Sequence, residues 1–300
     1  MSPGDLDAYL ARVGWRGARR PTRRVLDGLM AAHVAAIPFE NLDVLLGRGV
    51  DLADVAVFDK LVHRRRGGYC FEQNGLFARA LSALGFRVEA LAARARVGRA
   101  REETPPRTHL ALAVEAEGAR WLVDVGLGGL SMTGAIRFEE GVVQATPHEP
   151  RRLLWEGGRW WHQARLDAGW VDVCELTGEA MPPIDREVAS FFASAHPRSA
   201  FREAPMVARA LPGGGRLGLR GDVLTLRGAR GAERVRLADA EALLDVLEAR
   251  FGLCFAPGTV FPGGPAPADR GAPVLAARRS SAARVGACSN EAPPLAGPPR

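Results

Sequence analysis

Lysine is almost missing from this 300-residue chain: Lys60 stands alone among 40 basic residues, and every other one is arginine. With 35 glycines, 21 prolines and abundant alanine, that bias reads as GC-rich coding and not as a basic binding face. The net charge is +6, but the arginines are scattered, with no zinc-finger spacing and no RNP-type aromatic motif, so no nucleic-acid partner is expected. Cysteine is scarce as well. Cys70, Cys174, Cys254 and Cys288 lie far apart with no CxxC pair, which argues against a disulfide framework and a zinc site; reduced thiols and no metal are expected. No segment approaches the roughly 20 apolar residues that span a bilayer. The opening "MSPGDLDAYLARVG" has no cationic stretch leading into an apolar run, so a cytoplasmic protein without a membrane partner is expected. No repeat of roughly 20 to 50 residues is visible.

What is there is enough for real cores, since 47% of the residues are hydrophobic. Up to about residue 85 the apolar spacing is helical. "DLDAYLARVG" sets Leu6, Tyr9, Leu10 and Val13 on one face, and Thr22 caps a second helix that carries Leu26, Leu29, Met30 and His33 and stops at Pro38. Val57, Phe58, Leu61 and Val62 mark a third helix; Gln73, Phe77, Ala80, Leu81 and Leu84 mark a fourth, before Gly85. The period then falls to two in "FRVEALAARARV", "THLALAVEA", "RWLVDVG", "RRLLWEGGRWWHQARL" and "GWVDVCEL", which predicts an antiparallel sheet or barrel. A smaller α/β piece follows, with short strands "GRLGLRG" and "DVLTLRG" and a helix capped by Asp239 that turns Leu243, Leu244, Leu247 and Phe251 inward. Beyond about residue 262 Pro, Gly, Ala, Ser and Arg dominate, and a disordered tail containing Cys288 is expected. The expected division is therefore a helical bundle over 1–85, a β unit over 86–190, an α/β unit over 191–262 and a tail over 263–300.

Chemistry centres on "RRRGGYCFEQNG", residues 64 to 75. A helix beginning just after Gly68 puts Cys70 in its first turn, where free NH groups and the positive dipole end favour a thiolate, and the glycine pair is expected to permit the sharp approach that exposes it. The residue is either a nucleophile or a small core thiol between Tyr69 and Phe71. A nucleophile needs a base. His109 lies on the strand "THLALAV" and shares its face with Ala111 and Ala113. A hairpin centred between Ala116 and Glu117 sets it opposite or nearly opposite Asp124, with Leu110 facing Val123 and Leu112 facing Trp121. In that register Asp124 accepts the Nδ1 proton of His109, and a slip of one residue would undo the match. After Asp124 the glycines of "GLGG", Gly126 to Gly129, either make a plain turn or let backbone NH groups approach a ligand.

At this point the chain resembles the arylamine N-acetyltransferase family. The resemblance rests on "IPFENLD" (Ile37 to Asp43), "RGGYCFEQNGLF" (Arg66 to Phe77), "THLALAV", "DVGLGG" and "HPRSAF" (His196 to Phe201), and it reaches to about residue 260. It implies an α+β fold of helical bundle, antiparallel β-barrel and α/β lid with a cysteine-protease-like catalytic core. It also implies Cys70 as the acylated nucleophile, His109 as base and Asp124 as its orienting acid. Acetyl-CoA would be the co-substrate, and an arylamine, hydrazine or arylhydroxylamine the acceptor, in ping-pong order. By the same resemblance Phe39, Leu127 and Phe201 line the acceptor pocket, Gly126, Leu127, Gly128 and Gly129 lie beside the coenzyme, and Glu40 pairs with Arg66 next to Cys70. Leu127 departs from the aromatic residue that many bacterial relatives carry there. The nearest alternative on the same fold and triad is an amide synthase closing a macrolactam on a polyketide chain. A thiol protease, a transglutaminase-like enzyme and a non-catalytic binding protein fit the motifs less well. The protein is expected as a monomer or homodimer, with His33, His63, His148, His162 and His196 structural or on the surface, and Cys174 and Cys254 as core thiols.

Overall fold

The structure, a computed structural model, describes residues 1–228 and 231–267. Helix α1 (Pro3–Val13) starts on Ser2, whose hydroxyl accepts the Asp5 NH while the Asp5 carboxylate accepts the Ser2 NH, so two otherwise unpaired donors are satisfied at once. Helix α2 (Arg23–Ala36) starts on Thr22 as expected and ends short of Pro38. A two-residue strand β1 (Phe39–Glu40), a single turn α3 (Leu42–Leu45) and α4 (Asp54–Phe58) come next. A π-helical turn, Asp59–His63, continues α4 and swings Lys60 inward. Helix α5 (Cys70–Ala83) closes this part. Leu10, Leu26, Leu29, Met30, Phe77 and Leu81 are essentially removed from water, each contributing about 1.5–3 kcal/mol relative to exposure.

One antiparallel sheet of seven strands carries the middle of the chain. Its strands are β2 (Arg87–Ala95), β3 (His109–Ala116), β4 (Ala119–Val123), β5 (Ile136–Arg137), β6 (Arg151–Glu156), β7 (Arg159–Leu166) and β8 (Gly169–Ala180), in the order β5-β4-β3-β2-β8-β7-β6. Beyond β5 the chain turns back onto the far edge: Gly141 NH donates to Leu153 O at 2.7 Å, and Gln144 and Arg151 exchange both backbone bonds. The two edges thereby meet through this segment, and the sheet is a nearly closed barrel, as an α+β fold of this class requires. Helix α5 lies in the same apolar core as β2, β3 and β4, which is what brings Cys70 to the strand ends.

The β3–β4 hairpin differs from its expected register. Its turn consists of Glu117 and Gly118 alone, both with positive φ (51° and 74°), and Ala116 pairs with Ala119. That is the two-residue turn whose twist suits a hairpin. Leu112 therefore faces Val123 and Val114 faces Trp121, two places along from the expected pairs. A shift of two keeps every side chain on its face, whereas a shift of one would not. His109 and Asp124 end on the same side, offset along the strands and not directly opposite.

Helix α6 (Pro183–Ala195) then leads to a second sheet made of β9 (Met206–Ala210), β10 (Arg216–Arg220), β11 (Val223–Gly228) and β12 (Gly231–Arg236), with β1 on its edge beside β9. Helix α7 (Ala240–Val246), capped by Asp239, runs on as a π-helical turn, Leu247–Phe251, and packs Leu243, Leu247 and Phe251 into a second core under this sheet. Two expectations change. The boundary placed at 190 falls inside α6, a helix that buries the small Ala189, Ser190 and Ala193 while Ile184, Val188 and Phe191 face water. Of the tail expected from 263, residues 263–267 are packed onto the second unit: Pro265 is buried and Ala266 O accepts the Ala240 NH at 2.9 Å. The rest of that segment, with Cys288, lies outside the described residues. Among the described residues no helix is long and apolar enough to cross a membrane.

Candidate active site

The start of α5 is set by close packing around two glycines. A Cβ on Gly67 would stand 2.1 Å from Pro38 O, and one on Gly68 would stand 2.5 Å from Glu72 Oε2. Only glycine lets the Pro38–Glu40 segment lie against this turn, where Glu40 NH donates to Gly68 O at 3.0 Å. Tyr69 caps the helix, and its NH donates to Glu72 Oε2 at 3.0 Å, so the glutamate three places on closes the first turn. Cys70 is consequently the first helical residue, 3% exposed, with Sγ 3.7 Å from Thr108 O.

His109 is the first residue of β3, and Asp124 stands one position past the end of β4. They are joined by a 2.6 Å hydrogen bond from His109 Nε2 to Asp124 Oδ2. The expectation that Nδ1 faces the acid is thus corrected: the hairpin offset presents Nε2 to Asp124 and leaves Nδ1 for the thiol. The other carboxylate oxygen is also held, accepting from Asn74 Nδ2 at 2.9 Å and from Gly126 NH at 3.0 Å. Asn74 lies one turn along α5 from Cys70. It ties that helix to both hairpin strands, donating to Leu110 O at 2.6 Å and accepting the Val125 NH at 3.0 Å. Reasoning from the sequence missed Asn74, although its spacing of four from Cys70 marks it as a neighbour on the same helix face. Burial disfavours charge on His109, but the Asp124 carboxylate beside it, with help from Cys70, lifts its pKa to about 10. The raised pKa makes the ring a strong acceptor for a proton from the thiol beside it.

Beneath Cys70 lies a buried ionic network. Arg66 Nη2 meets Glu40 Oε1 at 2.7 Å and Asp43 Oδ1 at 3.1 Å, while Lys60 Nζ meets Asp43 Oδ2 at 2.9 Å and Glu72 Oε1 at 2.7 Å. The expected Glu40–Arg66 pair is present, and the chain's sole lysine is its neighbour. Lys60 loses hydration by burial, yet the three carboxylates around it raise its pKa on balance. Arg66 also lies over the ring of Phe255, 4.6 Å from its centre, which links this network to the second core.

A second cysteine–histidine pair sits deeper in the barrel and is held differently. His162 Nε2 accepts from Arg151 Nη1 at 3.0 Å, so its proton is on Nδ1, 3.6 Å from Cys174 Sγ. The ring points a hydrogen at that sulfur and has no lone pair with which to take its proton. Burial and the neighbouring Arg151 cation hold the His162 pKa far down, and burial pushes the Cys174 thiol up. Cys174 is a core thiol as expected. Cys254 is half-buried between Leu253 and Phe255, which pack on the second core.

The aromatic residues gather above Cys70. The rings of Phe39 and Phe201 lie 6.0 Å apart, and Phe201 meets Tyr69 at 5.6 Å. A Cβ on Gly128, whose φ is 59°, would stand 3.6 Å from the Phe39 ring, at ordinary van der Waals contact. Gly126 is tighter still, since a Cβ there would stand 2.7 Å from Cys70 Cα. Leu127 is half-buried between the main core and a small cluster around Leu130, and Gly129 is exposed. Of the remaining histidines, His33 is buried between Tyr9 Oη and Gln73 Oε1, His148 bonds Gly215 O, His196 stacks on Phe192, and His63 is exposed beside Phe58.

Comparison with known proteins places this arrangement in context. The family described as N-acetyltransferase matches residues 23–258. The arylamine N-acetyltransferase of Mycobacterium tuberculosis is 46% identical over 253 residues, which is 83% of this chain and 89% of the relative. The solved structure of the enzyme from that organism matches with a TM-score of 0.80 at 45% identity, covering 82% of this chain and 93% of the other. The Mycobacterium marinum arylamine N-acetyltransferase, solved in complex with CoA, matches at a TM-score of 0.79 and 43% identity, over 82% and 92% of the two chains. The Salmonella typhimurium arylamine N-acetyltransferase / N-hydroxyarylamine O-acetyltransferase is 39% identical over 249 residues, 83% of this chain and 88% of the relative.

Proposed function

The chain belongs to the arylamine N-acetyltransferase family, and on that premise we propose that it carries an acetyl group from acetyl-CoA to an aromatic amine or hydrazine, or to the oxygen of an arylhydroxylamine, by way of a thioester on Cys70. The observation that carries this reading is the 2.6 Å His109 Nε2–Asp124 bond, which leaves Nδ1 to Cys70, the thiol in the first turn of α5. Nδ1 takes the Cys70 proton as Sγ attacks the acetyl carbonyl carbon. The NH groups that open α5 have no acceptor within the helix and supply donors for the oxygen of the tetrahedral intermediate. As that intermediate collapses the C–S bond to coenzyme A breaks, and His109 returns the proton to the departing sulfur. The amine nitrogen then attacks the thioester, gives a proton to His109, and Cys70 leaves as the thiol. Dividing the transfer lets two bulky substrates use one site in turn.

The same reading assigns the acceptor ring to the Phe39–Phe201 side, where aromatic faces are available. The pantetheine arm is assigned to the side of Gly126 to Gly129, where missing side chains leave backbone accessible. No observation favours macrolactam closure over acetyl transfer. The test is steady-state: initial rates varied in acetyl-CoA and arylamine together are expected to give parallel double-reciprocal lines, and intersecting lines would replace the two-step order with a ternary complex.

A further inference from the structure

The segment from Asp124 to Met132 is a closed loop: Met132 NH donates to Asp124 O at 2.7 Å, and Leu127 NH donates to Ser131 Oγ at 2.9 Å inside it. One side of the loop presses on the thiol, where Gly126 approaches Cys70. Its exit is gripped from behind. Arg151, on β6, donates from Nη2 to Leu130 O at 2.8 Å; Arg216, on β10, donates from Nη2 to Ser131 O at 3.0 Å. Both guanidiniums converge on Glu149, whose Oε1 accepts from Arg216 Nε at 2.5 Å and Arg227 Nη2 at 2.9 Å. Its Oε2 accepts from Arg216 Nη2 at 2.7 Å and Arg151 Nη2 at 3.3 Å.

Three cations on one carboxylate, with Arg151 fully buried, is an expensive way to fill a core, because apolar side chains of similar volume are often as stabilising or more so. What apolar side chains could not do is place two charge-assisted donors on consecutive carbonyls of the loop. The grip also spans the molecule, with Glu149 and Arg151 belonging to the barrel and Arg216 and Arg227 to the second sheet. The loop is thereby fixed between Cys70 in front and both sheets behind, with Gly128 held against Phe39.

We infer that Glu149, acting through Arg151 and Arg216, is a positioning residue that holds the Asp124–Met132 loop against Cys70 and so sets how closely the two substrates fit. This rests on the proposed reaction at Cys70. None of these three side chains touches the reacting atoms, so their loss acts on the loop and not on the proton transfer.

Two variants test it. Glu149→Gln keeps the shape of the side chain but removes the charge that gathers the guanidiniums, and Ser131→Ala removes only the internal tie to Leu127 NH. In Glu149→Gln, KM for at least one substrate is expected to rise about tenfold, with kcat per titratable Cys70 within about threefold of wild type, the size set by weakening hydrogen bonds to charged groups. In Ser131→Ala the same split is expected at a few-fold, and this variant decides the matter if the first does not fold. A merely structural role predicts unchanged KM values and activity that falls only with the folded fraction, and that result would overturn the inference. Wild-type protein that takes no acetyl on Cys70 would instead overturn the reaction on which the inference rests.

Discussion

Asp124→Asn is expected to slow acetylation of Cys70 by about 10⁴-fold while leaving the fold in place, the size seen when a triad acid is replaced by its amide. The reason lies in what surrounds the side chain. Asn74 Nδ2 and Gly126 NH both donate to Oδ1, so an asparagine there must keep its oxygen at that position and turn its NH₂ toward His109. His109 Nε2 would then have to accept, and the ring proton would move to Nδ1, pointing at the thiol. That is the arrangement in which Arg151 holds His162 against Cys174, where the ring cannot take a proton. The measurement is the single-turnover rate at which Cys70 gains acetyl, beside a thermal unfolding scan. A wild-type rate in a folded variant would show that His109 does not depend on Asp124 for its tautomer.

Arg66→Ala acts on a different link. Glu40 is 1% exposed and shares Arg66 with Asp43, so removing the guanidinium leaves two largely buried carboxylates with Lys60 as the one remaining inward cation of the network. Breaking such a pair from one side costs about 3–5 kcal/mol, a large part of the roughly 5–15 kcal/mol that holds a folded protein together. For a chain of this size a thermal midpoint lower by about 10 °C or more is expected, with poor folded yield, because the cation also stacks on Phe255 and joins two cores. An unchanged midpoint would mean the network contributes little to folding.

Much of this site is legible in the residues themselves. Helix starts at Ser2, Thr22 and Asp239 follow from side chains that cap their own backbones, and a cysteine after two glycines at a helix start is a local pattern. That His109 and Asp124 share a face survives an error in register, because a two-residue slip preserves parity. Which imidazole nitrogen meets the acid does not survive it, since that depends on the offset along the strands, which is set by positive φ at a non-glycine residue, Glu117. Asn74, Lys60 and the Glu149 cluster are illegible for another reason. Contacts between separated residues decide each, Lys60 with Glu72 12 residues away, Asn74 with Asp124 50 away and Glu149 with Arg216 67 away, and polar side chains carry no periodicity that announces burial. Helix α6 reverses the usual rule: its apolar stripe of Ile184, Val188 and Phe191 faces water, and the residues it buries are the small Ala189, Ser190 and Ala193.

The most direct test of the central claim is the intact mass of the protein after brief exposure to acetyl-CoA. Wild type is expected to gain one acetyl group and to lose it when an arylamine is added, and Cys70→Ala is expected to gain none. A gain that persists in Cys70→Ala, or no gain in wild type while Cys70 still reacts with iodoacetamide, would contradict the account.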